Sequence, residues 1–118
     1  MEDLLPETKS LNLETSAALG DLLREHKGAD VVVLSLESSA WTDFFVIATA
    51  SSSTHLDGLD RHISKFCAEH GIGILRRSRK PKEQEDEWRI IDLGPVVIHL
   101  MSRRAREFYE LERLFSGL

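Results

Sequence analysis

Few side chains in this chain carry reactive chemistry. Asp43, Asp92 and His99 supply two carboxylates and an imidazole, the parts of a general acid–base group. Asp43 suits a turn or strand start equally well, and Asp92 suits the support of a nearby hairpin. His55 and His62 stand seven residues apart, on one side of a helix, and together with His99 would hold a metal only if all three converged. Capping and partly buried hydrogen bonding are the other use of such histidines. Cys67 lies beside Phe66 in an apolar stripe, the setting of a core thiol rather than a nucleophile. Asp86 and Glu87 are adjacent, so in a strand they point to opposite faces. The chain has no Walker A loop, no G-x-G-x-x-G, no G-x-S-x-G and no pair of cysteines. No residue is therefore assigned a catalytic, cofactor-binding or metal-binding role.

The stretch that must position Asp92 and His99 runs E-W-R-I-I-D-L-G-P-V-V-I-H-L-M, residues 87–101. It predicts two strands, 88–93 and 96–101, joined by Gly94-Pro95. Glycine supplies the positive φ at the first loop position, and proline already has the φ of the second. This register puts Leu93/Val96, Ile91/Ile98 and Arg89/Leu100 on one mostly apolar face, ready to be covered by helices. The other face carries Asp92/Val97, Ile90/His99 and Trp88/Met101. A large aromatic beside a few polar groups has the composition of a protein-interaction hot spot. Packing of Trp88 under the last helix is the competing reading.

The remaining elements follow in order. Residues 1–10 contain Pro6 and little periodicity, and are expected to form a loosely ordered arm. Residues 11–27 predict a helix with Asn12 as N-cap, Leu19, Leu22, Leu23 and His26 on one stripe, and Gly28 as the stop. Runs 30–36 and 43–49 predict two strands, each apolar on both faces and so expected to be central. Ser51 to Thr54 offer caps for a helix to about residue 70, with Leu56, Leu59, Ile63, Phe66 and Cys67 as its apolar stripe and Gly71 at its end. A short strand at 72–77 precedes a polar run, R-R-S-R-K-P-K-E-Q-E-D-E, expected to be a solvated loop. Ser102 can cap a final helix over 103–114, with Phe108, Leu111 and Phe115 on its apolar side. The order α-β-β-α-β-β-β-α defines an α/β fold with a mixed five-stranded sheet flanked by helices. A parallel crossover is expected from 43 to 77.

At 118 residues, with 42% hydrophobic and 30% charged residues, the chain has the size and composition of one globular domain. A net charge of −5 disfavours wholesale electrostatic binding of nucleic acid. A single cysteine excludes an internal disulfide, and no signal peptide, transit pattern or bilayer-length apolar run is evident. The cytoplasm is the expected location.

Several segments in order resemble the ribosomal silencing factor, or Iojap-like, family: D-V-V-V-L-S-L, T-D-F-F-V-I-A-T at residues 42–49, S-S-T-H-L at 52–56, E-W-R-I-I-D-L-G, V-V-I-H-L-M and R-E-F-Y-E-L-E-R-L-F at 106–115. Together they span about residues 12–115. The chain departs from the family pattern at Gly94-Pro95, at Thr54-His55 and in the loop before Trp88. The resemblance implies a nucleotidyltransferase-like fold without transferase activity. The closely spaced carboxylates that such chemistry needs after a Gly-Ser turn are indeed absent from the sequence. It also implies a translational repressor that binds the large ribosomal subunit through ribosomal protein L-fourteen and blocks joining of the small subunit. It implies that no cofactor is needed, and a homodimer when free. On the family motifs, Trp88, Asp92, His99 and Met101 of the hairpin, and Tyr109, Glu110 and Leu111 of the terminal motif, are the candidate protein-interaction residues. The basic run 76–82 offers a peripheral contact with ribosomal RNA. A small nucleotidyl- or phosphoryl-transfer enzyme using Asp43, Asp92 and His99, and a dimeric adaptor for another protein, are the alternatives.

Overall fold

The computed structural model describes residues 4–36, 42–77, 87–111 and 113, with side chains from residue 13 onward. The elements run α1 (Leu4–Glu25), β1 (Ala29–Ser35), β2 (Phe44–Ala50), α2 (Ser53–Glu69), β3 (Arg76–Arg77), β4 (Trp88–Asp92), β5 (Val96–Ser102) and α3 (Arg103–Tyr109). This is the expected order, and the five strands form one mixed sheet ordered β1-β2-β5-β4-β3. Strand β2 runs parallel to β5, while the β1–β2, β4–β5 and β3–β4 pairs are antiparallel. No helix among the described residues is long and apolar enough to cross a membrane.

The β4–β5 hairpin has the predicted register, pairing Trp88 with Met101, Ile90 with His99 and Asp92 with Val97. Gly94 has φ +96°, a value an L side chain would strain to reach, and its amide donates to Asp92 Oδ1 at 2.8 Å. Because side chains alternate across a strand, this register sorts the sheet into two cores. On one face Ile91, Val96, Ile98 and Leu100 join Val46, Ala48, Leu19 and Leu23 of α1 and Leu56, Leu59, Ile63 and Cys67 of α2. On the other, Phe45, Ile47, Val97 and Met101 pack with Ala105 and Leu111. Arg89 sits on the α2 side as expected, where it pairs with Asp57 and Asp60; Arg77 of β3 reaches the same Asp60 at 2.6 Å. Burial pushes the Cys67 thiol pKa up, as befits a core cysteine.

Several boundaries differ from expectation. Helix α1 starts at Leu4, so residues 4–10 are helical and Asn12 lies inside the helix rather than capping it. Pro6 falls in the first turn, where its missing N–H costs no helical bond. At the other end Lys27, with φ +73°, takes the left-handed position assigned to Gly28. Gly28 instead donates its amide to Leu23 O at 2.7 Å, and a Cβ there would sit 2.8 Å from that oxygen. This is a Schellman closure with its glycine one position later.

Strand β1 is an edge strand, not a central one. Its apolar faces reflect layers above and below the sheet, which is compatible with having a neighbour on one side only. Only Arg76 and Arg77 of the expected strand 72–77 join the ladder; Ile72 and Ile74 pack against the first core instead. The chain from β2 through α2 does return in parallel, but β5 and β4 lie between β2 and β3. The polar run beyond Arg77 and Phe115 lie outside the described residues. Helix α3 stops at Tyr109 because Glu110 adopts φ +47°, earlier than the expected end at 114. Within α3 the buried side carries Ala105 and Arg106, and Phe108 is 78% exposed instead of in the core.

Helices α1 and α2 meet through histidines. His55 accepts the Ser51 amide at Nδ1 (2.9 Å), and its Nε2–H donates to His26 O (2.9 Å). The His62 ring stacks on that of His26 with centroids 3.4 Å apart. Burial first, and then the neighbouring His26, Arg61 and Lys65, hold His62 below its ordinary pKa of 6.5.

Two expectations follow from this packing. Ile63→Ala should cost about 2–5 kcal/mol in urea unfolding, as for a buried residue losing its side chain, whereas Phe108→Ala should stay within about 0.5 kcal/mol. Since His62 binds its proton more weakly in the fold than in the unfolded chain, its contribution to stability is full above 6.5 and is lost as pH falls through the lowered folded value. Melting curves taken between about pH 7.5 and about pH 5 should therefore show a steeper loss for the parent chain than for His62→Asn.

Candidate protein-docking face

The second face of the sheet gathers most of the hairpin and terminal-motif residues. Trp88 opens β4 and is partly exposed; its indole N–H donates to His99 Nδ1 at 3.0 Å. That bond requires the His99 tautomer with its proton on Nε2. The edge of Phe45 meets the His99 ring at a centroid distance of 4.5 Å and an angle of 66°. Tyr109 lies against the other side of Trp88, with centroids 4.6 Å apart, and Phe108 stands edge-on to Tyr109 at 4.9 Å. Tyr109 is 49% exposed and Phe108 more so, while His99 is only 6% exposed. An aromatic ridge therefore stands on a buried imidazole.

Helix α3 carries the ridge, and its anchorage explains the position of Tyr109. Ser102 caps it by accepting the Ala105 amide at 3.0 Å. Arg106, buried on the helix underside, donates to Thr49 Oγ1 of β2 (2.9 Å) and to Asp30 O of β1 (2.7 Å). Arg103 pairs with the Asp30 carboxylate at 2.7 Å, and this bond and charge hold the Asp30 carboxyl below its ordinary pKa. Asp30 itself has φ +46°, beside an irregularity in the β1–β2 register. The helix is thus tied to both strands by a charged side chain that purely apolar patterning does not reveal. A buried arginine can be read from sequence only if its acceptors are known, and here they lie more than fifty residues away.

The seven candidate residues separate by position. Trp88, His99 and Tyr109 come together. Met101 has no exposed surface and Leu111 is buried, so both support the face from beneath. Glu110 is exposed at the helix end, where its backbone is left-handed. Asp92 lies at the far end of β4, about 13 Å along the strand from Trp88, with its carboxylate committed to the hairpin amide. Phe108, which helical spacing places in the core, instead stands exposed on α3 beside Tyr109.

The acid–base and metal arrangements do not assemble. Asp92 serves the turn, His99 Nδ1 is taken by Trp88, and exposed Asp43 contributes its backbone amide to Pro95 O. His55 and His62 lie on the α2 side of the sheet while His99 faces the other core, so the three do not converge.

The fold is that of a mixed α/β protein with a five-stranded sheet flanked by helices and an exposed aromatic ridge on one face. The chain belongs to the family described as ribosomal silencing factor during starvation, which matches residues 9–117. The ribosomal silencing factor of Treponema pallidum is 33% identical over 102 residues, covering 86% of this chain and 89% of that protein. The mouse protein named for mitochondrial assembly of the ribosomal large subunit is 31% identical over 99 residues, 83% of this chain but 43% of its own length. Among solved structures, a Chromobacterium violaceum protein superposes with a TM-score of 0.77 at 25% identity, covering 89% of this chain and 87% of its own. A Bacillus halodurans protein gives 0.70 at 31% identity, covering 86% and 93%.

Trp88→Phe keeps an aromatic ring beside Tyr109 but removes the donor to His99 Nδ1. It should destabilise the fold by about 1–3 kcal/mol in urea unfolding, the cost of stranding a buried acceptor.

Proposed function

We propose that this chain is a non-enzymatic, cytoplasmic repressor of translation that binds the large ribosomal subunit through ribosomal protein L-fourteen. Bound there, it sterically blocks joining of the small subunit. Membership of the silencing factor family supports the general role. The observation that carries the site is the Trp88–Tyr109–Phe108 ridge, exposed aromatic surface seated on a rigid, hydrogen-bonded base. Interface energy concentrates in such anchors, because their burial removes large apolar area at little cost in side-chain freedom. Around the ridge the charges of Glu87, Arg104 and Glu110 form a polar rim. Away from the ribosome, the chain is proposed to associate as a homodimer. The basic run opening at Arg76 and Arg77 provides the peripheral contact with ribosomal RNA.

The deciding measurement is subunit joining followed by light scattering, with purified large subunits preincubated with the full chain. Joining should be lost with the parent chain and restored with Trp88→Ala. That substitution should weaken large-subunit binding by roughly 2 kcal/mol or more, about thirtyfold in dissociation constant. Unchanged affinity of a folded Trp88→Ala chain would place the contact elsewhere. Full joining despite saturated binding would remove the steric role. Raising salt should weaken binding further if ribosomal RNA phosphates are contacted.

A further inference from the structure

A second feature lies at the same end of the sheet as Trp88 but does not belong to the aromatic ridge. Strands β2 and β5 are parallel neighbours, and each leads directly into a helix. Helix α2 packs into the core of Leu56, Leu59 and Ile63, whereas α3 packs into the opposite core through Ala105. The chain therefore leaves two adjacent strands toward opposite faces. Where that happens in an open α/β sheet, a crevice opens at the carboxyl ends of the strands, and this is where such sheets take ligands.

Here the crevice is a cleft of about 460 Å³. Its lining is hydroxylic and cationic: Ser51, Ser53 and Ser102 together with Lys27, Arg103 and Arg104. Its floor includes Thr49, whose hydroxyl is held by the buried guanidinium of Arg106. Three cations thus line one site, with Arg106 beneath it, in a chain whose net charge is −5. Among the described residues, two carboxylates answer them. Asp30 pairs with Arg103, and Glu87 approaches Arg104 at a loose 3.7 Å. Positive charge remains in excess, and Arg104 is the side chain freest to swing toward a stronger anion.

The placement of Lys27 depends on contacts from other elements. It occupies the left-handed turn after α1, and His55 ties the preceding carbonyl, His26 O, to the Ser51 amide at the cleft wall. The cation and the serines are therefore held together from three separate elements. Among the described residues, the cleft lining includes no aromatic ring that could stack on a base and no large apolar side chain. Its chemistry suits a compact, multiply charged, oxygen-rich anion.

We propose that this cleft binds a small phosphorylated anion, of the size of pyrophosphate or the diphosphate portion of a nucleotide, through Lys27, Arg103 and Arg104. The hydroxyls of the lining serines complete its hydrogen bonds. Because Ser102 is both a lining residue and the cap of α3, occupancy would bear directly on the helix that carries Tyr109.

The test is calorimetric titration of the full chain with pyrophosphate at constant ionic strength, with sulfate and adenosine diphosphate as comparisons. One saturable site is expected, tighter for pyrophosphate than for sulfate and similar for adenosine diphosphate, since the base finds no stacking partner. Arg104→Gln should weaken it about tenfold, the loss of a charge-assisted contact, and Lys27→Asn similarly. Asparagine tolerates the left-handed backbone of position 27, and Arg104 is well exposed, so both variants should melt like the parent chain. No saturable binding, or equal affinity in the parent and both folded variants, would overturn the proposal. So would binding of single-stranded RNA that pyrophosphate fails to displace, because it would assign these cations to a nucleic-acid backbone.

Discussion

Strand β5 is the constraint on which the structure turns. It pairs in parallel with β2 along one edge and antiparallel with β4 along the other, and all its residues but the last are buried. Hydrogen bonding on both edges leaves no freedom of register, since a slip of one residue would send Val96, Ile98 and Leu100 to the wrong face. With the register held, those three residues must meet α1 and α2, and Val97, His99 and Met101 must meet α3. Two cores, a docking face and a crevice at the strand ends all follow from that one alternation.

The docking face combines rigidity below with exposure above. Met101 and Leu111 fill the space beneath, His99 receives the indole N–H, and Tyr109 leans on the outer side of Trp88. Such an anchor loses little freedom on binding, because its hydrogen bond and packing already restrict it. Arg106 performs the corresponding service for α3. A seven-residue helix has little intrinsic stability, and its cap, the buried Ala105 and one buried guanidinium hold it to the sheet. The silencing factor family is thus represented here by a sheet whose polar groups are engaged in holding shape. The groups that a catalytic reading would use, Asp92 and His99, are among them.

What could be read from the chain alone was whatever depends on local period and local backbone. The hairpin register followed from alternation on either side of Gly94-Pro95, and α2 followed from its stripe and the run of hydroxyl caps at residues 51–54, of which Ser52 is the one used. The core placement of Cys67 followed from the same stripe. The family was legible because its motifs lie in these periodic segments. Element ends were less legible: Pro6 suggested a break but stands in a helical first turn, and Lys27 took a left-handed position that glycine usually fills.

Sequence by itself therefore determined the elements, their order, the two faces of the hairpin and the family. Side-chain alternation and helical stripes are properties of neighbouring residues, and they persist whatever the rest of the chain does. Tertiary structure alone decided that β1 is an edge, that Phe108 is exposed, that Arg106 is buried and that three elements close around a cationic cleft. Each of those depends on which distant segment arrives alongside. The acceptors of Arg106 on Thr49 and Asp30, and the early end of α3 at Glu110, exist only once β1, β2 and α3 are assembled.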